Sequence, residues 1–317
     1  MMNRRDVCLR NSSIGMLAIL FVSLLGASTT RGQTPPITDI TFAPDGKSLV
    51  ACSQEGLRVF TWPELMSQKK VKVTFANLHC VVFSLDGTRL AVGGGNPSEE
   101  GVVEVFSWPE LKSHTKLSNH NDSVVSVAWR SNTRLVSASL DRLLNLWDLG
   151  TQETVRTYRG HSRGVTSTCI LKNGQVVSAG YDQSVRVWHG ETGALVQSLN
   201  QHSKPVHAMS VCPTSEGHPM VATAAGDRTI RFWQPTIGRM KRYVRLDSEP
   251  LDIDWISGTR ILAGCIDGQA RVVDTENVKV LKTIPSIKGW AYAVAAHPND
   301  GTFAIAGSDG QLRRYGL

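Results

Sequence analysis

Three histidines, His120, His161 and His202, recur at 41-residue intervals, and each is followed by a hydroxyl residue and then an aspartate. The sets are His120, Ser137 and Asp141; His161, Ser178 and Asp182; His202, Thr223 and Asp227. A hydroxyl, an imidazole and a carboxylate are the parts of an activated nucleophile, with the imidazole as base and the carboxylate orienting it. Imidazole and carboxylate groups also bind zinc. Which chemistry these residues do depends on where the intervening chain puts them.

The stretch from Gly160 to Gly190, GHSRGVTSTCILKNGQVVSAGYDQSVRVWHG, holds one such set between short runs rich in β-branched residues. Asn173-Gly174 and Tyr181-Asp182-Gln183 divide those runs and predict turns. The stretch is one copy of a repeat. Phe60, Phe106, Trp147, Trp188, Trp233, Val273 and Tyr315 close equivalent runs, at spacings of 46, 41, 41, 45, 40 and 42. Asp141, Asp182, Asp227, Asp267 and Asp309 stand six residues ahead of this closing residue in five of the seven units. Seven units of this length predict an all-β, seven-bladed β-propeller of four-stranded antiparallel blades.

Each unit reads as four strands. The first, such as Ile37–Phe42 or Val124–Trp129, is small and apolar, as expected beside the axis. A tight turn follows at Asp45-Gly46, Asp86-Gly87 or Asn173-Gly174, where glycine supplies a positive φ. The second strand is apolar and rich in small residues, and the third alternates and ends on the closing residue. The fourth, as in Glu153–Tyr158, is more polar and suits an outer, half-solvated edge.

These units resemble WD repeats, with Gly160-His161 matching that family's glycine-histidine pair and Trp147-Asp148 its tryptophan-aspartate pair. The resemblance covers residues 37 to 317 and implies a hydrogen-bonded tetrad inside a blade. Three units hold all four positions: His120, Ser137, Asp141 and Trp147; His161, Ser178, Asp182 and Trp188; His202, Thr223, Asp227 and Trp233. On this reading the histidines are structural and far apart around the ring, and no exposed nucleophile or metal site results. The other units depart from the pattern. The first two lack the turn aspartate, and Ala263 and Ile305 replace the hydroxyl in the sixth and seventh, so these blades are expected to depend more on packing.

The resemblance also implies a partner-binding face built from first-strand bulges and the residues before the turn aspartates. Bulges are expected at Thr38, His79, Val125, Thr166, His207, Asp252 and Tyr292. The candidate partner-binding residues are Tyr181, His207, Asp252, Trp290, Tyr292 and His79, because aromatic side chains on a rigid rim are frequent binding anchors. Trp290 could instead tuck into its blade or plug the channel. Units one and two share Phe60–Leu65 and Phe106–Leu111, where a Trp-Pro pair ends the strand ladder.

Other chemistry finds little support. Gly93-Gly94-Gly95 lacks the Lys-Ser/Thr continuation of a phosphate loop. No G-x-S-x-G, H-E-x-x-H or calcium-loop pattern occurs. No cofactor or metal is expected. Cys52, Cys80, Cys169, Cys212 and Cys265 are odd in number, widely spaced and set in predicted strands, so neither a disulfide framework nor a zinc site is indicated. A non-enzymatic platform for a protein or peptide partner is therefore the expected function. The alternative is a propeller enzyme or small-ligand or metal binder using the central channel, lactonase-like or sugar-active, with Asp39, Asp252 and Asp254 as its only first-strand acids.

The first 32 residues form a separate region. Arg4, Arg5 and Arg10 precede an apolar run from Ile14 to Ala27, followed by small residues, which is the order of a secretory signal peptide. Cleavage is expected between about residue 27 and residue 32, by the general secretory or the twin-arginine route. The product would be a periplasmic or secreted monomer, residues 33–317, with no stable membrane span; an uncleaved anchor is the other outcome. Residues 1–32 hold four Arg and one Asp, so +4 of the formal +7 charge remains beyond them. That excess is no footprint for nucleic acid. The seventh unit ends two residues after Tyr315, so its fourth strand must come from elsewhere, and Ser28–Gln33 would supply it if cleavage falls near Ala27.

Overall fold

The structure, a computed structural model, describes residues 34–213 and 218–317. It is a seven-bladed β-propeller. Six blades are four-stranded antiparallel sheets with the strands in sequence order, and the seventh, residues 293–315, has three described strands. The only helical element among the described residues is a single 3-10 turn, Pro235–Ile237. The expected leader and the segment expected to complete blade seven, residues 1–33, lie outside the described residues.

The core lies between blades. Second and third strands are sealed on both faces, as in Leu49, Val50, Ala51, Cys52, Leu57 and Val59 of the first blade. Their apolar side chains form clusters that each join two neighbouring blades, for example Val50, Leu57 and Val59 with Val81, Leu90, Val92 and Phe106. Seven such clusters among the described residues span the seven interfaces. The ring therefore closes by packing: Ala293, Ala295, Ala304 and Ala306 of blade seven meet Ile37, Ile40, Leu49 and Phe60 of blade one. Removing this apolar surface from water is worth about 25 cal/mol per Å². His297 adds a hydrogen bond across the same junction, 3.0 Å to the Gly46 carbonyl.

Outer strands are exposed, as expected from their polarity; Ser67–Val71 has four exposed residues of five. The Trp-Pro pairs close hairpins at the end of the third strand. Trp62 is buried, edge-on to Phe42 at 4.8 Å and stacked on His297 at 6.1 Å, while Trp108 packs edge-on to Phe83 at 5.0 Å. The three glycines at 93–95 are part of an extended hairpin, Arg89–Asn96 with Glu100–Ser107. A Cβ at Gly94 would strike the Asn77 carbonyl oxygen, so close backbone approach accounts for this glycine.

Candidate partner-binding face

The three His-hydroxyl-Asp-Trp sets come together as hydrogen-bonded chains. In blade four, His161 Nδ1 lies 2.9 Å from Asp182 and its Nε2 lies 2.7 Å from Ser178 Oγ, which also accepts the Trp188 indole N–H at 2.8 Å. Blade three repeats this with His120, Asp141, Ser137 and Trp147, and blade five with His202, Asp227, Thr223 and Trp233. The histidine enters from the end of the preceding blade, His120 as the last residue of its outer strand and His161 and His202 from the loop that follows it, so each chain ties two blades. Every hydroxyl sits at the buried centre of its chain, 0 % exposed, and cannot meet a substrate. Burial works to raise the Asp182 and Asp227 carboxyls, but the bonds and charge from their histidines and from Ser184 or Thr229 outweigh it. Both are held well below the usual carboxylate range.

Blades two, six and seven hold polar networks of their own, and there the expectation of more dependence on packing needs correction. In blade six the Arg271 side chain is 2 % exposed, lies opposite Ala263 in the ladder and pairs with Asp267 at 2.7 Å and Asp247 at 2.8 Å. From this position the guanidinium reaches both carboxylates, since a buried arginine needs several acceptors. Arg313 repeats the motif with Asp309 at 2.8 Å in blade seven. In blade two the buried Glu104 accepts hydrogen bonds from Thr74 and Ser113. The four-residue spacing from turn aspartate to arginine also occurs in Asp182–Arg186 and Asp227–Arg231, beside complete tetrads, so it does not single out Arg271 in the sequence.

The central channel, about 400 Å³, is lined by the first strands. Asp39, Asp252 and Asp254 face it, and each carboxylate joins two blades. Asp39 accepts from Ile40 and Val81, Asp252 from Ile253 and Val294, and Asp254 from Trp255 and Ala296, all at 2.8–2.9 Å. Ser126 does the same between blades three and four, accepting the Thr168 N–H at 3.1 Å. Desolvation raises the carboxyl of Asp39 to about 7 and that of Asp254 to about 6, and pushes Asp252 well above its ordinary value. These acids are blade clips. Among the described residues no group of three or more His, Cys, Asp or Glu is arranged to hold a metal ion.

The expected bulge residues Thr38, His79, Val125, Thr166, His207 and Tyr292 all line this channel. In blade six the position needs correction. Pro250 pairs with Cys265 and Asp252 with Gly264, so Leu251 is the unpaired residue and Asp252 belongs to the clips. The other blades carry Thr, His, Val or Tyr at this place, so residue type does not fix the register in the sequence. Thr38 and Thr166 are also structural, each donating to a carbonyl of the next blade at 2.7 Å.

The other candidates differ in what they leave free. His207 Nε2 lies 2.6 Å from Glu249 in the neighbouring loop. The His79 Nε2 and the Tyr181 hydroxyl are sealed from solvent without a hydrogen-bond partner. Burial lowers the His79 imidazole to about 4 and raises the Tyr181 phenol. Trp290 and Tyr292 are half-buried and meet edge to face at 5.9 Å, with Tyr292 at the channel and the Trp290 backbone bonded to Ser308. All of these residues lie at one end of the ring, the end carrying the turn aspartates. The five cysteines of the described residues are buried free thiols.

Comparisons with known proteins agree with this geometry. The family described as "WD domain, G-beta repeat" matches residues 27–60, 111–148, 152–189 and 193–234, the last three spanning the tryptophans of the complete tetrads. The chain is 34% identical over 120 residues, 36% of its length, to UBP9-binding protein bun62 of Schizosaccharomyces pombe. It is 22% identical over 285 residues, 89% of its length, to an intraflagellar transport protein 122 homolog of Mus musculus. Over 307 residues, covering 78% of the chain, it is 22% identical to WD repeat-containing protein 1 of Xenopus tropicalis. These stretches make up 21%, 23% and 49% of the three relatives, so the chain spans half their length or less. The matched repeats and the relatives support the WD40 β-propeller family, whose members commonly serve as protein-interaction scaffolds.

Proposed function

We propose that this protein is an exported, non-enzymatic platform that binds a protein or peptide partner on the end of the ring carrying the turn aspartates. One observation carries the reading: the polar groups that resemble catalytic parts are consumed in bonds within and between blades, whereas Tyr181, His207, Trp290 and Tyr292 gather at that single end. A rigid ring with an aromatic rim suits recognition, because little side-chain entropy is lost when such residues are covered. The name of bun62, a UBP9-binding protein, is consistent with partner binding among similar chains. Asp252 has no place in this face, being held between blades six and seven.

Affinity capture from an exported fraction, comparing wild type with a Tyr181, His207, Trp290 and Tyr292 alanine variant, tests the face. Loss of the captured partner is expected, and an unchanged set of partners would reject it. Export itself rests on the basic, apolar and small-residue order of residues 4–28. Among the described residues no helix is long and apolar enough to cross a membrane. Mass spectrometry of the exported chain is expected to give a new N-terminus near residue 28, leaving Ser28–Gln33 to pair with Leu312–Tyr315, the outermost described strand of blade seven. A start at Gln33 would sink that closure.

A second reading places a small ligand in the channel, favoured by the unpartnered His79 Nε2 in its wall. A thermal shift of several degrees with calcium or zinc, reversed by EDTA, would favour it over the platform.

A further inference from the structure

Cations are distributed unevenly between the two ends of the ring. At the end holding the turns between first and second strands, Arg130 pairs with Glu191 and Arg134 with Asp148 at 3.1 Å, while Lys112, Lys172 and Arg260 are exposed without a partner among the described residues, on three different blades. At the opposite end the unpaired cations converge on blades three to five. Arg142, Arg159, Arg163, Lys204, Arg228 and Arg245 are all exposed there, and none of their side chains has a hydrogen-bond or ion-pair partner among the described residues.

The backbone places these six together. Arg142 and Arg228 follow the turn aspartates of blades three and five. Arg159 and Arg245 end the outer strands of the same blades, opposite Leu143 and Thr229, the residues next to those two arginines. Arg163 and Lys204 lead into the first strands of blades four and five, and Gly164 beside Arg163 packs against Leu140 in the turn that carries Arg142. Acids that would offset them are already engaged. Asp141, Asp182 and Asp227 are held by histidines with side-chain exposures of 7%, 5% and 6%. Asp122 accepts from Ser98 and Ser123, and Glu249 is bonded to His207.

Fold stability does not account for the arrangement. Like charges repel and destabilise the compact state. Arg142 and Arg228 also adopt left-handed backbone angles, φ 76° and 63°, where blades six and seven use glycine, Gly268 and Gly310. An L-residue there carries strain that glycine avoids. Tyr181 lies in the same arc, its N–H bonded to the Gly164 carbonyl and its hydroxyl unpartnered.

We infer that this arc over blades three to five is the docking surface for an acidic, carboxylate-rich segment of a protein partner. The inference rests on the platform reading and names the chemistry of what the platform binds. Arginine forks take carboxylates two hydrogen bonds at a time, which makes them suited to such a segment.

The test uses the full chain and fluorescence anisotropy of a labelled peptide of alternating Glu and Asp with Gly-Ser spacers. A Lys-based peptide of equal length and a DNA duplex serve as comparisons. The acidic peptide is expected to bind at about 50 mM salt, to weaken as salt approaches about 300 mM, and to outcompete the duplex. Arg163→Glu with Arg228→Glu should weaken it about tenfold or more. Lys112→Glu with Lys172→Glu, at the other end of the ring, should leave it unchanged, and far-ultraviolet circular dichroism would verify that both variants fold. No binding, binding that survives the Arg163→Glu, Arg228→Glu pair, or tighter binding of the duplex would each overturn the inference. A partner captured through Trp290 and Tyr292 but indifferent to the arginine variant would overturn it too, while leaving the platform reading intact.

Discussion

The Asp39 carboxylate in the first blade accepts the Val81 backbone N–H of the second at 2.8 Å, while its other oxygen holds the N–H of Ile40. One side chain thus sets the register between two innermost strands. Asp252 does the same between blades six and seven, and Asp254 doubles the join. Two of the four blades without a complete tetrad, the first and the sixth, provide these clips.

The clip makes stability pH-dependent in a direction opposite to that of an ordinary ion pair. Desolvation raises Asp39 to about 7 when folded, well above the ordinary carboxylate value. The native state therefore keeps a proton that the unfolded chain releases, and its contribution to stability falls as pH rises from about 4 to about 7. Asp39→Asn abolishes that titration. Its thermal midpoint is expected to lie below that of wild type at pH 4, because an amide has one acceptor oxygen, and to approach it by pH 7. Parallel midpoint curves for the two proteins would contradict the assignment.

The blade-four tetrad depends on one oxygen. Ser178 Oγ receives the Trp188 N–H and bonds His161 Nε2, both buried. Ser178→Ala leaves both groups unsatisfied, at about 1–3 kcal/mol each. Urea unfolding should show a loss of about 2–4 kcal/mol, and Ser178→Thr should recover most of it, since Thr223 does this job in blade five.

In blade six the corresponding experiment is Arg271→Ala. Removing the buried guanidinium leaves Asp267 unpaired, and because that carboxylate is 31% exposed the cost should be about 1–3 kcal/mol, that of an unsatisfied polar group. Asp247 is the lesser partner at 82% exposure, so Asp247→Asn should cost under about 1 kcal/mol. Equal losses from the two substitutions would show that Arg271 is not anchored as described.

Gly307→Ala connects the core to the candidate face. A Cβ there would strike the Trp290 carbonyl oxygen, which accepts the Ser308 N–H at 3.0 Å. The Trp290–Tyr292 segment must move, and a destabilisation of about 1–3 kcal/mol is expected, from overpacking. The chain holds eight tryptophans, so the displacement is read from the Trp290 component alone, as the difference in emission between the variant and the same variant carrying Trp290→Phe. An unaltered spectrum and midpoint would show that the segment yields freely.

The seven-fold period, the strand order within each blade and the members of the three complete tetrads were all readable from residue types and spacing. Such information is local: a strand's alternation, a turn's glycine and a histidine 21 residues before its aspartate, as in His161 and Asp182, each lie within one repeat. The blade-six bulge was misplaced by one residue: the expected bulge positions hold residues as different as Thr38, Val125 and Tyr292, so no residue type marks Leu251, and only strand pairing reveals it. Arg271 could not be recognised as buried, since arginine is ordinarily exposed and its burial depends on two aspartates converging from different loops. The channel clips and the unpaired arginines on blades three to five are relations between repeats. Closing the ring brings Asp39 to Val81, and Arg163 to the same face as Arg142 and Arg228. One repeat read alone carries no record of which neighbour it will face, so these contacts were settled by tertiary packing.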